Sequence, residues 1–119
     1  MLTGKPLYQV FDELIFQPLN MNDTCFEVPV DKVSKFCSLY TRTSAEPLKR
    51  LENAKDSRFC GNVKMYSGGG GLISSMQDYL VFLEMIRCGG QYNNARVLGR
   101  KTVELMLRNH LPGDMASMG

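Results

Sequence analysis

"YSGGGGLISSMQDYLVFLEMIRCGG", residues 66–90, carries the strongest structural signal in the chain and decides its class. Its second half reads as a helix with marked ends. Ser75 followed three residues later by Asp78 resembles a capping box, and Met76, Tyr79, Leu80, Phe82, Leu83 and Ile86 make a mostly apolar helix that Gly89 and Gly90 stop. Its first half sets four glycines in a row before that helix. Ordering glycine costs more backbone entropy than ordering any other residue, so a folded chain keeps such a run where side chains would obstruct a close approach.

Upstream, "GKPLYQVFDELIFQPL", residues 4–19, places Leu7, Val10, Phe11, Leu14 and Ile15 at the i, i+3, i+4, i+7, i+8 spacing of one buried helical face. Pro6 suits the first turn, where its missing N–H is not needed, and Pro18 is expected to close the element. The turn "PLNMNDT", residues 18–24, offers Asn20 for a positive φ, and Asp23 and Thr24 for local bonds to backbone. Downstream, "QYNNARVL", residues 91–98, reads as a tight Asn93-Asn94 turn opening a short hairpin or bend. A last helix over about residues 100–109 carries Val103, Met106 and Leu107 on one face, with Pro112 and Gly113 as its stop.

Residues 25–65 carry weaker signals, namely short apolar patches and one stretch of helical character, "AEPLKRLENAK", residues 45–55. They predict a long irregular excursion, with one helical turn near residues 47–54 and short extended pieces. Long excursions of this kind within a domain are usually functional, or mark missing neighbouring structure. The 119 residues thus read as one mainly α domain with a few short β segments (α+β). Its three parts are residues 1–24 (helix and turn), 25–65 (irregular excursion) and 66–113 (glycine cluster, capped helix, turn, last helix).

Charge points to no polyanionic partner: 14 basic against 12 acidic side chains give a formal +2. The bias is local, with Lys32, Lys35, Arg42, Lys49, Arg50, Lys55, Arg58 and Lys64 against Glu46, Glu52 and Asp56. A solvated loop face accounts for it, and nucleic acid is not an expected partner. No apolar run approaches the roughly 20 residues that span a bilayer. Cys25, Cys37, Cys60 and Cys88 form no C-x-x-C pair and have no neighbouring histidine, so no metal or cofactor is expected. They read as buried or half-buried thiols of a reducing compartment, with two disulfides left open for an exported chain. Nothing else specifies a compartment.

Catalytic motifs are missing. A phosphate loop needs Gly-Lys-Ser/Thr at the helix start, and Gly71 is followed by Leu72-Ile73. There is no G-x-S-x-G elbow, and no serine has a lysine three residues on. The one histidine, His110, follows the last helix and reads as a capping or solvent-facing group. Tyr92-Asn93-Asn94 matches Y-x-N by letters only, in a turn. Lys101-Thr102-Val103 has Val where K-T-G needs Gly.

The segments "GKPLYQVFDELIFQPLNMNDTCFEVP" (residues 4–29) and "YSGGGGLISSMQDYLVFLEMIRCGGQYNNARVLGRKTVELMLRNHLP" (residues 66–112) nevertheless resemble the serine β-lactamase-related superfamily, especially its class C-like esterase and D-aminopeptidase/penicillin-binding branch. Several separate pieces occur in that family's order: G-K-P-L, P-L-x-M-x-D-T, a glycine cluster with S-x-x-D-Y, G-G, and K-T-V-E-x-M. Asn20, Asn94 and Gly99 depart from the commoner Gly, Gly and Ser. The resemblance implies a partial β-lactamase/transpeptidase-like fold without its complete central antiparallel sheet. It also implies that the S-x-x-K, tyrosine and K-T-G-type motifs fall outside this stretch. On that footing no residue here is catalytic, and the chain is an internal, non-catalytic portion of a serine hydrolase that, whole, acts on an ester, amide or lactam. Ser67, Gly68, Gly69, Gly70 and Gly71 are expected at the rim of the substrate cleft. Exposed apolar helix faces are expected to favour self-association, and an interaction module without hydrolase activity is the alternative reading.

Overall fold

A computed structural model of the chain describes residues 3–44, 47–61 and 63–113. The first helix begins as α1 (Leu7–Phe11), with the Pro6 carbonyl accepting the Gln9 and Val10 N–H groups. It widens into a π turn over Asp12–Phe16, where the Gln17 N–H reaches back to the Asp12 carbonyl, and continues as α2 (Gln17–Leu19). Pro18 therefore does not close the helix, contrary to expectation. In a regular α-helix its ring would strike the carbonyl four residues back. The wider turn shifts the bonding partners, and Pro18 then sits in the opening turn of α2, where no N–H is required.

The extra residue in that turn also rotates the buried face. Leu14, expected inside, is 60% exposed, while Phe16 and Leu19 are buried. Asn20, at φ 55°, ends the helix in the left-handed region. Its N–H donates to the Gln17 carbonyl at 3.1 Å and the Met21 N–H to the Phe16 carbonyl at 2.9 Å, the paired bonding of a Schellman cap.

The longest helix, α3 (Met76–Arg87), ends with the same pair of bonds, Gly89 N–H to Ile86 O and Gly90 N–H to Met85 O. Its inward face holds Met85, fully buried at the centre of a cluster with Phe16, Leu19 and Met21. Phe11, Ile15, Val81, Phe82, Ile86, Tyr92, Val97 and Leu98 pack around them. The outward stripe Met76, Tyr79, Leu80 and Leu83 stays exposed.

Beyond it, β3 (Gln91–Tyr92) and β4 (Ala95–Arg96) form a small antiparallel hairpin whose turn holds Asn93 at φ 49°. The Gly90 carbonyl accepts both the Val97 and Leu98 N–H groups, pressing the strand onto the helix end. A Cβ on Gly90 would lie 2.2 Å from the Leu98 carbonyl oxygen, so this crossing requires glycine.

The last helix, α4 (Arg100–Met106), has Gly99 at its N-cap without a side-chain bond. It stops three residues short of the expected end, because the Arg108 N–H tightens onto the Leu105 carbonyl and the His110 Nε2 sits 2.6 Å from that oxygen. Of its expected apolar face only Val103 is buried, and Met106 and Leu107 are exposed.

The excursion is more ordered than expected. A 3-10 turn covers Val30–Lys35, and β1 (Leu39–Thr41) pairs antiparallel with β2 (Lys49–Glu52). A second 3-10 turn follows over Ala54–Asp56. The helical turn anticipated near residues 47–54 is thus mostly a strand. Helix propensity differs by only a few tenths of a kcal/mol per residue over so short a segment, and cross-strand pairing overrides it. Two two-stranded sheets are present among the described residues, and a complete central sheet is not.

One buried carboxylate joins the halves. Ser75 Oγ caps α3 by accepting the Asp78 N–H at 3.2 Å, as the sequence suggests. The Asp78 side chain, 6% exposed, does not complete the capping box. It turns instead to the distant Asp23-Thr24 turn, its Oδ2 accepting the Asp23 N–H at 2.7 Å and the Thr24 hydroxyl at 2.9 Å. The Ser74 hydroxyl lies 2.8 Å from that of Thr24. Asp78→Ala removes the acceptor of the Asp23 N–H and leaves the buried Thr24 hydroxyl with Ser74 alone, and should lower unfolding stability by about 1–2 kcal/mol. Asp78→Asn should cost less, since its amide oxygen still accepts. Urea titration of the three proteins measures both.

Candidate functional site

The glycine run is positioned by what lies on either side of it. Before it, Tyr66 belongs to a string of aromatic rings: Tyr8 at 5.0 Å and Phe26 at 5.3 Å from Tyr66, then Phe11 5.7 Å from Phe26 and Phe16 6.1 Å from Phe11. Edge and tilted contacts of this kind add to the burial of the rings themselves. After it, Ile73 and Cys25 exchange two backbone hydrogen bonds at 2.9 and 3.1 Å. The chain between these anchors turns back on itself, with the Gly71 N–H donating to the Ser67 carbonyl at 2.9 Å.

The four glycines differ in what they do. A Cβ at Gly71 would meet the Ser67 carbonyl oxygen at 2.6 Å, the Ser67 nitrogen at 2.9 Å and Phe26 Cδ1 at 3.3 Å. At Gly68, Gly69 and Gly70 it would meet nothing within 4 Å. Close packing thus accounts for one glycine. The others leave bare backbone facing open space.

Ser67, Gly69, Gly70 and Gly71 line a groove of about 650 Å³ together with Arg58, Phe59, Gly61, Val63, Lys64 and Met65. Gly68 is exposed and outside the lining. The volume is in the range that takes a small organic ligand. Phe59 is fixed by its carbonyl, which accepts the Val28 N–H at 2.7 Å, and by the Phe36 ring at 6.3 Å. The Arg58 guanidinium lies over the Phe59 ring, 4.8 Å from its centroid.

A second groove, of about 350 Å³, lies behind the loop against Cys25, Lys32, Cys37 and Ser75. There the Lys32 ammonium holds the Asp23 carboxyl below its ordinary range. Burial pushes the Cys25 thiol up from its usual value. All four cysteines are free thiols, and Cys37 and Cys88 are exposed rather than half-buried as anticipated. Nucleophilic chemistry needs a base beside the nucleophile. Ser74 and Ser75 are engaged in the Asp78 lock, and His110 is turned to the Leu105 carbonyl. Among the described residues no cluster of three or more His, Cys, Asp or Glu could hold a metal, and no helix is long and apolar enough to cross a membrane. Sequence reasoning missed Tyr66, Phe26, Phe59 and Arg58. Their signal is long-range, and only the density of aromatics around the loop hints at it.

A family model described as Beta-lactamase matches residues 2–118. Two relatives from Mycobacterium tuberculosis, the uncharacterized protein MT1414 of strain CDC 1551 / Oshkosh and protein Rv1367c of strain ATCC 25618 / H37Rv, are each 32% identical over 110 residues. The match covers 89% of this chain and 26% of each relative, so the chain spans about a quarter of their length. Among solved structures, a mutant of simvastatin synthase (LovD) from Aspergillus terreus superposes with a TM-score of 0.70 at 26% identity, covering 92% of this chain and 26% of that one.

The asymmetry within the glycine run is directly testable. Gly71→Ala should destabilise the chain by about 1–3 kcal/mol, because backbone and the Phe26 ring must move. Gly69→Ala should leave the thermal midpoint nearly unchanged. In a timed iodoacetamide reaction at neutral pH read by peptide mass spectrometry, Cys37 and Cys88 should be modified before Cys25, whose thiolate is disfavoured.

Proposed function

Because the chain belongs to the beta-lactamase family, we propose that it supplies one wall of the cleft in which a whole protein of this kind acylates its serine on an ester, amide or lactam. By itself the chain is non-catalytic in this reading. The observation that carries it is the groove beside Ser67 and Gly69–Gly71, where uncovered backbone faces a ligand-sized space. Glycine at such a place lets main-chain groups approach a substrate that side chains would hold away. A relationship to serine hydrolases and acyltransferases fits the likeness to simvastatin synthase, and it leaves the acyl acceptor open to water or another nucleophile.

The absence of S-x-x-K in the sequence supports the non-catalytic half of the proposal. A serine hydroxyl at its ordinary pKa is a weak nucleophile without a base to take its proton. The domain reading proposed on the same footing keeps the three parts 1–24, 25–65 and 66–113, with the third contributing the rim residues Ser67, Gly68, Gly69, Gly70 and Gly71.

A second reading, an interaction module without hydrolase activity, is favoured by the outward stripe Met76, Tyr79, Leu80 and Leu83 on α3. An apolar stripe of this kind on a helix is normally covered. Self-association through this stripe belongs to that reading.

The purified chain should give no burst of product with nitrocefin or p-nitrophenyl esters and no labelling by a fluorescent penicillin. Stoichiometric labelling of any serine, located by peptide mapping, would sink the non-catalytic reading. A Leu80→Glu variant that turns an oligomer into a monomer by light scattering would favour the interaction module.

A further inference from the structure

We infer that the groove is built for an apolar anion: a small ligand with an aryl or alkyl body and a terminal carboxylate. The inference rests on the proposal that this groove faces a ligand, and it adds the ligand's chemical class. Its lining combines three apolar side chains, Phe59, Val63 and Met65, with two cations, Arg58 and Lys64. Among the described residues the lining holds no carboxylate. An apolar body gains from burial against the three hydrophobic groups, at about 25 cal/mol for each Å² removed from water.

The two cations are not equivalent to the rest of the basic segment. Lys32, which belongs to the same run of charge, is already neutralised by Asp23. Arg58 lies over the Phe59 ring, that ring packs against Phe36, and the Phe59 carbonyl accepts the Val28 N–H. A guanidinium pinned in this way loses less side-chain freedom on binding, and its planar fork matches a carboxylate with two parallel hydrogen bonds. Lys64 adds a second positive charge on the same lining. Both cations border this groove, and Arg58 also borders a neighbouring one that holds Glu52.

The test is an NMR titration of the chain with phenylbutyrate and, separately, with neutral phenylbutyramide, following the Val63 and Met65 methyl signals. Phenylbutyrate should bind at least about five-fold more tightly, and Arg58→Gln/Lys64→Gln should bring it down to the level of the amide. A circular dichroism melt checks that the double variant remains folded. Equal binding of acid and amide would overturn the charge inference while leaving the ligand-facing groove intact. So would undiminished binding of the acid by the double variant. Inorganic phosphate binding as tightly as phenylbutyrate would overturn it as well, because the site would then read charge without the apolar body. No shift with either aromatic ligand would remove the inference and the ligand-facing groove together.

Discussion

The Asp78 carboxylate is the constraint on which the rest of the arrangement depends. A carboxylate taken out of water is costly unless hydrogen bonds replace its hydration. Here the replacements are the Asp23 N–H and the Thr24 hydroxyl, more than fifty residues away in sequence. With that turn held against the start of α3, Cys25 lies beside Ile73 and the two residues exchange backbone hydrogen bonds. The next residue, Phe26, then lands on Gly71 and Tyr66. The glycine loop, its aromatic backing and the groove in front of it all follow from one side chain at the N-terminus of one helix.

How far the sequence discloses this depends on the range of each interaction. Elements whose signals are local are legible. Ser75 and Gly89-Gly90 mark the ends of α3, Asn20 takes the left-handed conformation, and Asn93 turns the hairpin. The β-lactamase-like resemblance is carried by the same local pieces. Features set by partners far along the chain are not legible. The π turn arises because Pro18 must be accommodated inside a longer helix, and it moves Phe16 inward and Leu14 outward. Lys49–Glu52 becomes a strand because Leu39–Thr41 is available to pair with it. Met85, the most buried side chain, is one apolar residue among many in a helix that is apolar on most sides. The glycine run is legible as a feature, but the run alone does not separate Gly71, packed against Phe26, from the three beside it.

Family membership gives this arrangement its context. Of the groove lining, Ser67 and Gly69 to Gly71 come from a stretch that strongly resembles the family, and Arg58 to Met65 largely from the stretch where the resemblance is weakest.

The exposed apolar stripe of α3 has a thermodynamic consequence. Met76, Tyr79, Leu80 and Leu83 are already 44% to 89% exposed in the folded chain. Unfolding therefore uncovers little new apolar surface on this face of α3. Heat capacity and denaturant sensitivity both scale with newly exposed area. Anything that covers the stripe thus adds to the heat-capacity increment, and sharpens melting as well as raising it.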